Sequence, residues 1–474
     1  MRDSDEGIDY IYKRGLLRCY PTIDGQCEKP QSVGWQPIQI PTLFLYTLYN
    51  GRQRGDDCGT IIYIMYTRSK FQSTEIRLEE NVDNHFSNPA TGEKTRRCTC
   101  SLYMTERCNL KCIYCYEHIK RDTLLSLEIA QIAIKETFER AVAEKVGFVE
   151  ILFHGGEPFM AFERIKEICG WLWSQDWPCK YICFATTNGT LVHGEIKDWL
   201  TNNSHKFVAG LSLDGTREMH NRNRSNSYDK IDIPFFSKTW PTQGVKMTPS
   251  PGTIHTLANG VIHLHELGFT KNNCSFASGI DWTHDETGKE IDYKTILLEQ
   301  FGKLAEYYLA HPDIMPVDML NIRFVAIAAG IENMKSKLCG AGSIMRCWTP
   351  DGKCLPCHLF YEAYKNSPDK ELPNFNFENS KNLSDPGCLG CILEPACPTC
   401  YGGNFVTNGD IRIRDRFTCE IMKLRSLVSS WMVGKMLESP ERYAALKTLS
   451  SERLAMTAKG VIMVQKYIHT LPVS

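Results

Sequence analysis

Compact apolar runs and stretches with apolar residues at three- and four-residue steps follow one another from Leu102 to about Phe324. Ser101 to Met104, Phe148 to Phe153, Tyr181 to Thr186 and Phe207 to Leu213 read as strands. Leu127, Ala130, Ile134, Phe138 and Ala141 place an apolar stripe on a helix ending near Gly147, and further helices are expected at about Phe162 to Trp173, Gly194 to Leu200, His255 to Leu267 and Tyr293 to His311. Repeated strand–helix units give a parallel sheet, so about six of them predict an α/β fold, a partial (β/α)6 barrel of TIM type. The chemistry of such a sheet gathers at the carboxyl ends of its strands. Nearer the start, Ile38 to Tyr49 and Thr60 to Tyr66 read as a hairpin around Gly51 to Gly59, and after Ile421 two helical stretches follow. At 474 residues the chain needs more than one core, and we divide it into an N-terminal region 1–97, a barrel 98–325, a cysteine-rich domain 326–424 and C-terminal helices 425–474.

Composition narrows the class. Hydrophobic residues make up 42% and charged residues 23% of the chain, as in a globular protein and unlike a disordered one. The net charge of -1, with both signs mixed along the chain, predicts no nucleic-acid surface. No apolar run approaches the roughly 20 residues of a membrane span, so no membrane association is expected. The charged start, Met1 to Glu6, has no apolar core behind it and is not read as a secretory signal. There are 21 cysteines, an odd number with several C-x2-C pairs, which favours metal thiolates in a reducing cytoplasm over a disulfide framework. Cys19, Cys27, Cys58, Cys98, Cys100, Cys169, Cys179, Cys183 and Cys274 stand apart from the clusters, and most of them read as small buried apolar side chains.

The first cluster is Cys108-Asn-Leu-Lys-Cys112-Ile-Tyr-Cys115, in a loop directly after the first barrel strand. Cuboidal iron–sulfur clusters usually take four thiolates, so three in one loop can hold three irons and leave the fourth open. An open metal position is what a catalytic site requires. With Tyr114 just before its third cysteine, the triplet resembles the radical S-adenosylmethionine (SAM) superfamily. The resemblance implies a [4Fe–4S] cluster on Cys108, Cys112 and Cys115 whose free iron chelates SAM and cleaves it to a 5'-deoxyadenosyl radical. It also assigns strand ends. His154-Gly155-Gly156-Glu157-Pro158 resembles the GGE motif that binds the methionine amino group, and Thr187-Asn188-Gly189-Thr190 the nucleoside side. In Ser212-Leu213-Asp214-Gly215 and Arg224, Ser212 and the arginine twelve residues on resemble the SAM-carboxylate contacts, while Tyr114 would lie against the adenine.

The second cluster reads Cys339, Gly352, Cys357, then Cys388-x2-Cys391-x5-Cys397-x2-Cys400, then Cys419. It resembles the SPASM extension of radical SAM enzymes, except that its last pair is spaced x2 where the family has x3. The implied fold is a radical SAM barrel with a C-terminal SPASM auxiliary-cluster domain. Carried over, one auxiliary [4Fe–4S] cluster takes Cys339, Cys357 and Cys400 with Cys347 or Cys354 as fourth ligand, Cys347 being preferred. The other takes Cys388, Cys391, Cys397 and Cys419, making three clusters in all.

Enzymes with this extension mostly modify ribosomal peptides. The leading expectation is therefore a maturase that abstracts a hydrogen atom from a precursor peptide and forms a thioether or carbon–carbon crosslink or a related change. A flavodoxin or ferredoxin would supply electrons, and the N-terminal region could grip a leader peptide by strand addition or cap the barrel. The alternative is anaerobic sulfatase maturation, oxidising Cys or Ser to formylglycine. Those enzymes place an aspartate base directly after the G-x4-C cysteine, where this chain has His358, which could serve as a catalytic base near neutral pH but breaks the match. A cysteine-rich electron carrier or zinc protein is the non-catalytic alternative, and it has no use for Glu157, Ser212 or Arg224 at strand ends.

Overall fold

The computed structural model describes residues 97–468 apart from 118, 286, 331–339, 368, 370, 378–382 and 398, together with short strands before residue 97. The chain divides into two units. In the first, Met1–Ile76 with Pro472–Ser474, strands β1 (Ile38–Ile40), β2 (Leu43–Thr47) and β3 (Ile62–Ile64) form an antiparallel sheet in that order. The expected hairpin is β2 with β3, paired Leu45 to Ile64, and the first expected run supplies both β1 and β2.

The second unit, Arg77–Leu471, begins with the antiparallel pair β4 (Phe86–Ser87) and β5 (Lys94–Thr95). Four parallel neighbours follow: β6 (Cys98–Tyr103), β7 (Phe148–His154), β8 (Lys180–Thr187) and β9 (Phe207–Leu211). β6 and β9 are buried at every residue, as strands covered on both faces must be. A second parallel pair, β10 (Val245–Met247) and β11 (Asn272–Cys274), joins β9 through a single bridge, Ser212 to Lys246. Six parallel strands in this order make the expected open barrel.

Helices α1 (Leu127–Ala143), α2 (Phe162–Trp173) and α3 (Gly194–Asn202) connect the first four strands. Ser126 caps α1 by accepting the Ile129 N–H, and α2 buries Phe162, Ile165, Ile168, Cys169 and Leu172 at helical spacing. Between β9 and β10 lie α4 (Arg217–Asn223) and α5 (Ile233–Thr239), which the apolar pattern did not announce. α6 (Leu257–Glu266) precedes β11, α7 (Tyr293–Ala310) follows it, and α8 (Phe324–Ala329) ends the barrel.

The cysteine-rich segment is built onto the same sheet. The hairpin β12 (Met345–Trp348) and β13 (Cys354–Leu355) adds to the free side of β6, with β12 parallel to it and Cys347 opposite Ser101. The six-stranded sheet β13-β12-β6-β7-β8-β9 therefore continues across residue 325. α9 (Phe360–Asn366) and α10 (Tyr401–Asn408) enclose a second core with Tyr103, Cys347, Cys357, Phe360, Tyr361 and Tyr401 buried together. The two expected C-terminal helices are α11 (Arg416–Met436), packed on α7, and α12 (Ser451–Ile468), packed on α8 and α11.

Candidate active site and cysteine centres

The cysteine loop after β6 is laced to the turn after β7. Gly156 N–H donates to Thr105 O at 2.9 Å and Glu157 N–H to Arg107 O at 2.8 Å. A Cβ on Gly155, whose φ is +140°, would lie 2.3 Å from Thr105 O, and one on Gly156 2.4 Å from Arg107 O, so only glycine allows this approach. Further along, Asn109 Nδ2 donates to Thr190 Oγ1 and Asn188 Nδ2 to Asn109 Oδ1, both at 2.8 Å, while Ile113 N–H donates to Asn223 O at 3.0 Å. The loop is thus held by the turns after β7 and β8 and by the end of α4.

Cys108, Cys112 and Cys115 are free thiols, each partly exposed. Burial pushes the Cys112 thiol up to about 11, with Cys115 and Cys108 adding to the rise, so the three lie together and Cys112 is a thiol at neutral pH unless a metal takes its proton. Three thiols on one glycine-cradled loop fit an iron–sulfur cluster. Among the described residues no group of three His, Cys, Asp or Glu closes on a point as a single ion requires.

Beside the loop, Glu157 is buried and accepts Thr187 Oγ1–H at 2.8 Å, Asn188 N–H at 2.8 Å and Phe159 N–H at 3.2 Å. Burial raises its pKa to about 7 against the pull of these donors. The carboxylate ties β7 to β8 and leaves the Gly155–Gly156 backbone facing the cysteines. Asp214, fully buried, accepts Thr248 N–H at 2.9 Å, Asn223 Nδ2–H at 3.2 Å and the Tyr114 hydroxyl, and pairs with Arg224 Nε at 3.0 Å. Burial works against the Arg224 charge, but Asp214, Tyr114 and Cys112 outweigh it and its pKa rises. The guanidinium therefore stands between Asp214 and Cys112, 5.5 Å from the Tyr114 ring centroid. Ser212 is buried at the start of this segment, with its N–H on Thr187 O at 2.9 Å.

Across the barrel mouth His358 stacks on His154, with ring centroids 3.9 Å apart. His154 Nδ1 accepts the Gly155 N–H at 2.7 Å, whereas His358 Nδ1 is buried with no hydrogen-bond partner. Burial pulls the His358 pKa down to about 3, Lys246 adding to the effect, so the ring is neutral. Lys246, beside Ser212 on β10, has an accessible side chain whose ammonium is pulled down by desolvation and by Arg224.

The later cysteines form two groups. Cys347 is buried on β12, and after burial itself Cys357, Cys100 and Cys354 all push its thiol up. Cys354 and Cys357 thus both neighbour Cys347. Cys400 caps α10 by accepting the Gly403 N–H at 3.3 Å, and the charged group felt there is Lys246. Cys339 lies outside the described residues. Cys388, Cys391, Cys397 and Cys419 gather in one place: burial pushes Cys397 up to about 11, and each of the other three adds to it.

Residues 102–232 match the family model of the radical SAM superfamily. The chain carries a radical SAM domain. Its curated relatives include a cysteine-type anaerobic sulfatase-maturating enzyme of Clostridium perfringens (strain 13 / Type A), 28% identical over 303 residues that cover 58% of this chain and 78% of the relative. The antilisterial bacteriocin subtilosin biosynthesis protein AlbA of Bacillus subtilis (strain 168) is 27% identical over 327 residues, 61% of this chain and 66% of the relative. Among solved structures, native anSMEcpe with bound AdoMet and Kp18Cys peptide superposes with a TM-score of 0.53 at 19% identity, covering 72% of this chain and 99% of that chain, a likeness of fold. The family uses SAM and a [4Fe–4S] cluster.

For this radical SAM protein the motifs located the loop, the glycine turn and the Ser212–Arg224 segment, but not what holds them. Lys365 went unnoticed, although its ammonium is buried against Glu362 Oε2 at 2.7 Å, Glu106 Oε2 at 3.3 Å and Glu117 Oε2 at 3.9 Å, joining the cysteine loop to α9. The signal available was that Glu106 and Glu117 flank the cysteine triplet. Lys246 and Tyr467 carried no signal, because each reaches its cysteine from a distant segment, and Arg414, five residues before Cys419, is one of several basic residues there.

Proposed function

We propose that this protein is a SAM-dependent peptide maturase with three [4Fe–4S] clusters. The observation that carries the reading is the parallel pairing of β12 with β6, which sets Cys347, Cys357 and His358 beside the strand feeding the SAM-cysteine loop. An auxiliary centre so placed can accept an electron from, or ligate, a substrate held at the barrel mouth. In this reading Cys108, Cys112 and Cys115 hold the SAM cluster. Cys388, Cys391, Cys397 and Cys419 hold one auxiliary cluster, and Cys339, Cys347, Cys357 and Cys400 the other.

When bound, SAM and its cluster supply a radical that removes a hydrogen atom from a substrate carbon. The chain's own residues position and exclude. Gly155 and Gly156 admit the methionine end against the loop, and Ser212 with Arg224 receives the carboxylate. Asn188, Asp214 and Tyr114 line the nucleoside side. The unpartnered Nδ1 of His358, held against His154, is a hydrogen-bond acceptor for a substrate group, whereas a pKa pulled down to about 3 makes the ring a poor base for a substrate proton. The substrate is a ribosomal precursor peptide and the electrons come from a flavodoxin or ferredoxin. No disulfide joins the described cysteines, which suits a reducing cytoplasm, and among the described residues no helix is long and apolar enough to cross a membrane.

The C. perfringens relative favours one rival product, formylglycine. Co-expression with candidate precursor peptides, read by mass spectrometry, separates the two. A crosslink removes hydrogen alone, whereas conversion of cysteine to formylglycine also replaces sulfur by oxygen. Anaerobic, reconstituted protein that forms no 5'-deoxyadenosine from SAM under reduction refutes both.

A further inference from the structure

We propose that Arg414 is the counter-cation of the auxiliary cluster on Cys388, Cys391, Cys397 and Cys419, and that it sets that cluster's reduction potential. The inference rests on the three-cluster reading above.

Arg414 reaches the four cysteines from the segment between α10 and α11. Its backbone N–H donates to Asp385 Oδ2 at 2.8 Å, and the other oxygen of that carboxylate accepts Gly387 N–H at 2.7 Å in the turn that delivers Cys388. One carboxylate therefore fixes Arg414 and Cys388 together. The Arg414 side chain is 5% exposed, and its Nη2 lies 3.8 Å from Glu394 Oε1, too far for a hydrogen bond. Nη2 has no hydrogen-bond partner. Glu394 belongs to the turn between Cys391 and Cys397 and accepts Ser384 Oγ–H at 3.1 Å.

A buried guanidinium with an idle N–H is costly unless an anion stands alongside. Here the Glu394 and Asp385 carboxylates lie near, yet Cys397 and Cys388 come ahead of them among the groups supporting the Arg414 charge against its burial. A cubane on four thiolates carries net negative charge, and reduction adds one more. A fixed cation beside it favours the reduced form, since net charge and hydrogen bonds to sulfur set such potentials. Tyr467, from the last turn of α12, adds a second donor through its hydrogen bond to Cys391.

The test is an EPR-monitored redox titration of the anaerobically reconstituted full chain, with iron counted in every sample. Arg414→Gln should lower one cluster's midpoint, shifting its reduced-to-oxidised ratio at fixed potential by about tenfold, which is about 59 mV for a one-electron couple. Arg414→Lys should restore most of it. Arg412→Gln, which removes a half-exposed guanidinium paired with Asp410 at 2.7 Å, should leave all midpoints in place. Loss of one cluster's iron in Arg414→Gln but not in Arg414→Lys also supports the assignment. Unchanged midpoints in Arg414→Gln, an equal shift in Arg412→Gln, or equal iron loss in both Arg414 variants overturns it. Wild-type protein holding the iron of a single cluster would instead sink the three-cluster reading on which the proposal stands.

Discussion

Removing the Lys365 ammonium should loosen the joint between the SAM-cysteine loop and the cysteine-rich domain. Lys365 is 3% exposed at its side chain, and Glu106, Glu117 and Glu362 meet there with side chains 1%, 5% and 11% exposed. The ammonium also donates to Ile119 O at 3.2 Å, and Tyr361 donates to the second oxygen of Glu106 at 2.9 Å. Three carboxylates share one cation, so Lys365→Met leaves them buried without it. Breaking a buried ion pair by deleting one partner costs about 3–5 kcal/mol. For a unit as long as Arg77–Leu471 the unfolding entropy is on the order of 0.8 kcal/mol per kelvin, so the melting temperature should fall by about 4–6 °C. The assay is anaerobic thermal unfolding of reconstituted protein. Adding Glu362→Gln to Lys365→Met should recover part of the loss, because it removes the nearest uncompensated charge. A Lys365→Met variant that melts with the wild type, or one that Glu362→Gln destabilises further, would refute the reasoning.

Three further outcomes follow from the site. Gly156→Ala drives a Cβ into Arg107 O and Glu106 O, backbone atoms that cannot swing aside, so the strain of about 1–3 kcal/mol falls on the cysteine loop; iron retention and SAM affinity should drop, while Gly170→Ala, with open space at its Cβ, should leave both intact. Asp214→Asn leaves Arg224 buried without its anion and should weaken equilibrium SAM binding by more than about tenfold with iron unchanged; equal affinity would contradict the role given to the pair. Asp318 accepts the Cys274 N–H at 2.7 Å, and burial raises its pKa to about 6 despite that bond and the nearby Arg425. Its folded-state pKa exceeds the unfolded value of 3.8, so the folded protein binds the extra proton and stability falls as pH rises from about 4 to about 6, levelling off above that. The full effect is about 3 kcal/mol, and Asp318→Asn should flatten the pH dependence of the urea midpoint between about pH 4 and pH 7.

Local periodicity carried most of the barrel. α2 runs from Phe162 to Trp173 as its apolar spacing predicts, and β7 and β8 differ from expectation by a residue or so at their ends. What escaped is short or non-local. β10 and β11 have three residues each, too few for a period to register, and they owe their place to the bridge from Ser212 to Lys246. α5 had an Asp232 cap and a proline in its first turn, but only seven residues of stripe. The pairing of β12 with β6 joins residues far apart in the chain, and no window of sequence contains both. The same holds for the site. The cysteines, glycines, Ser212 and Arg224 are visible as motifs, whereas the His154–His358 stack exists only once distant segments are brought side by side, and the Asp214–Arg224 pair only once α4 folds back on the end of β9.

Charge placement then follows a rule that motif reading misses. Arg224 stands by Cys112, Lys365 under the loop carrying Cys108 to Cys115, and Arg414 among Cys388 and Cys397, each a buried cation with at least one carboxylate close by. Burying a cation among apolar side chains would cost more than one carboxylate returns. Beside thiolates that carry a metal cluster the balance reverses, because the cluster brings excess negative charge that must itself be compensated within the fold. On the proposed three-cluster reading the carboxylate keeps each cation in place while the thiols are protonated, and a loaded cluster would then share it. On this argument the buried cations belong to the cysteine centres as much as the cysteines do, and a chain with the same cysteine spacing but apolar residues at positions 224 and 414 should hold its clusters at lower potential or not at all.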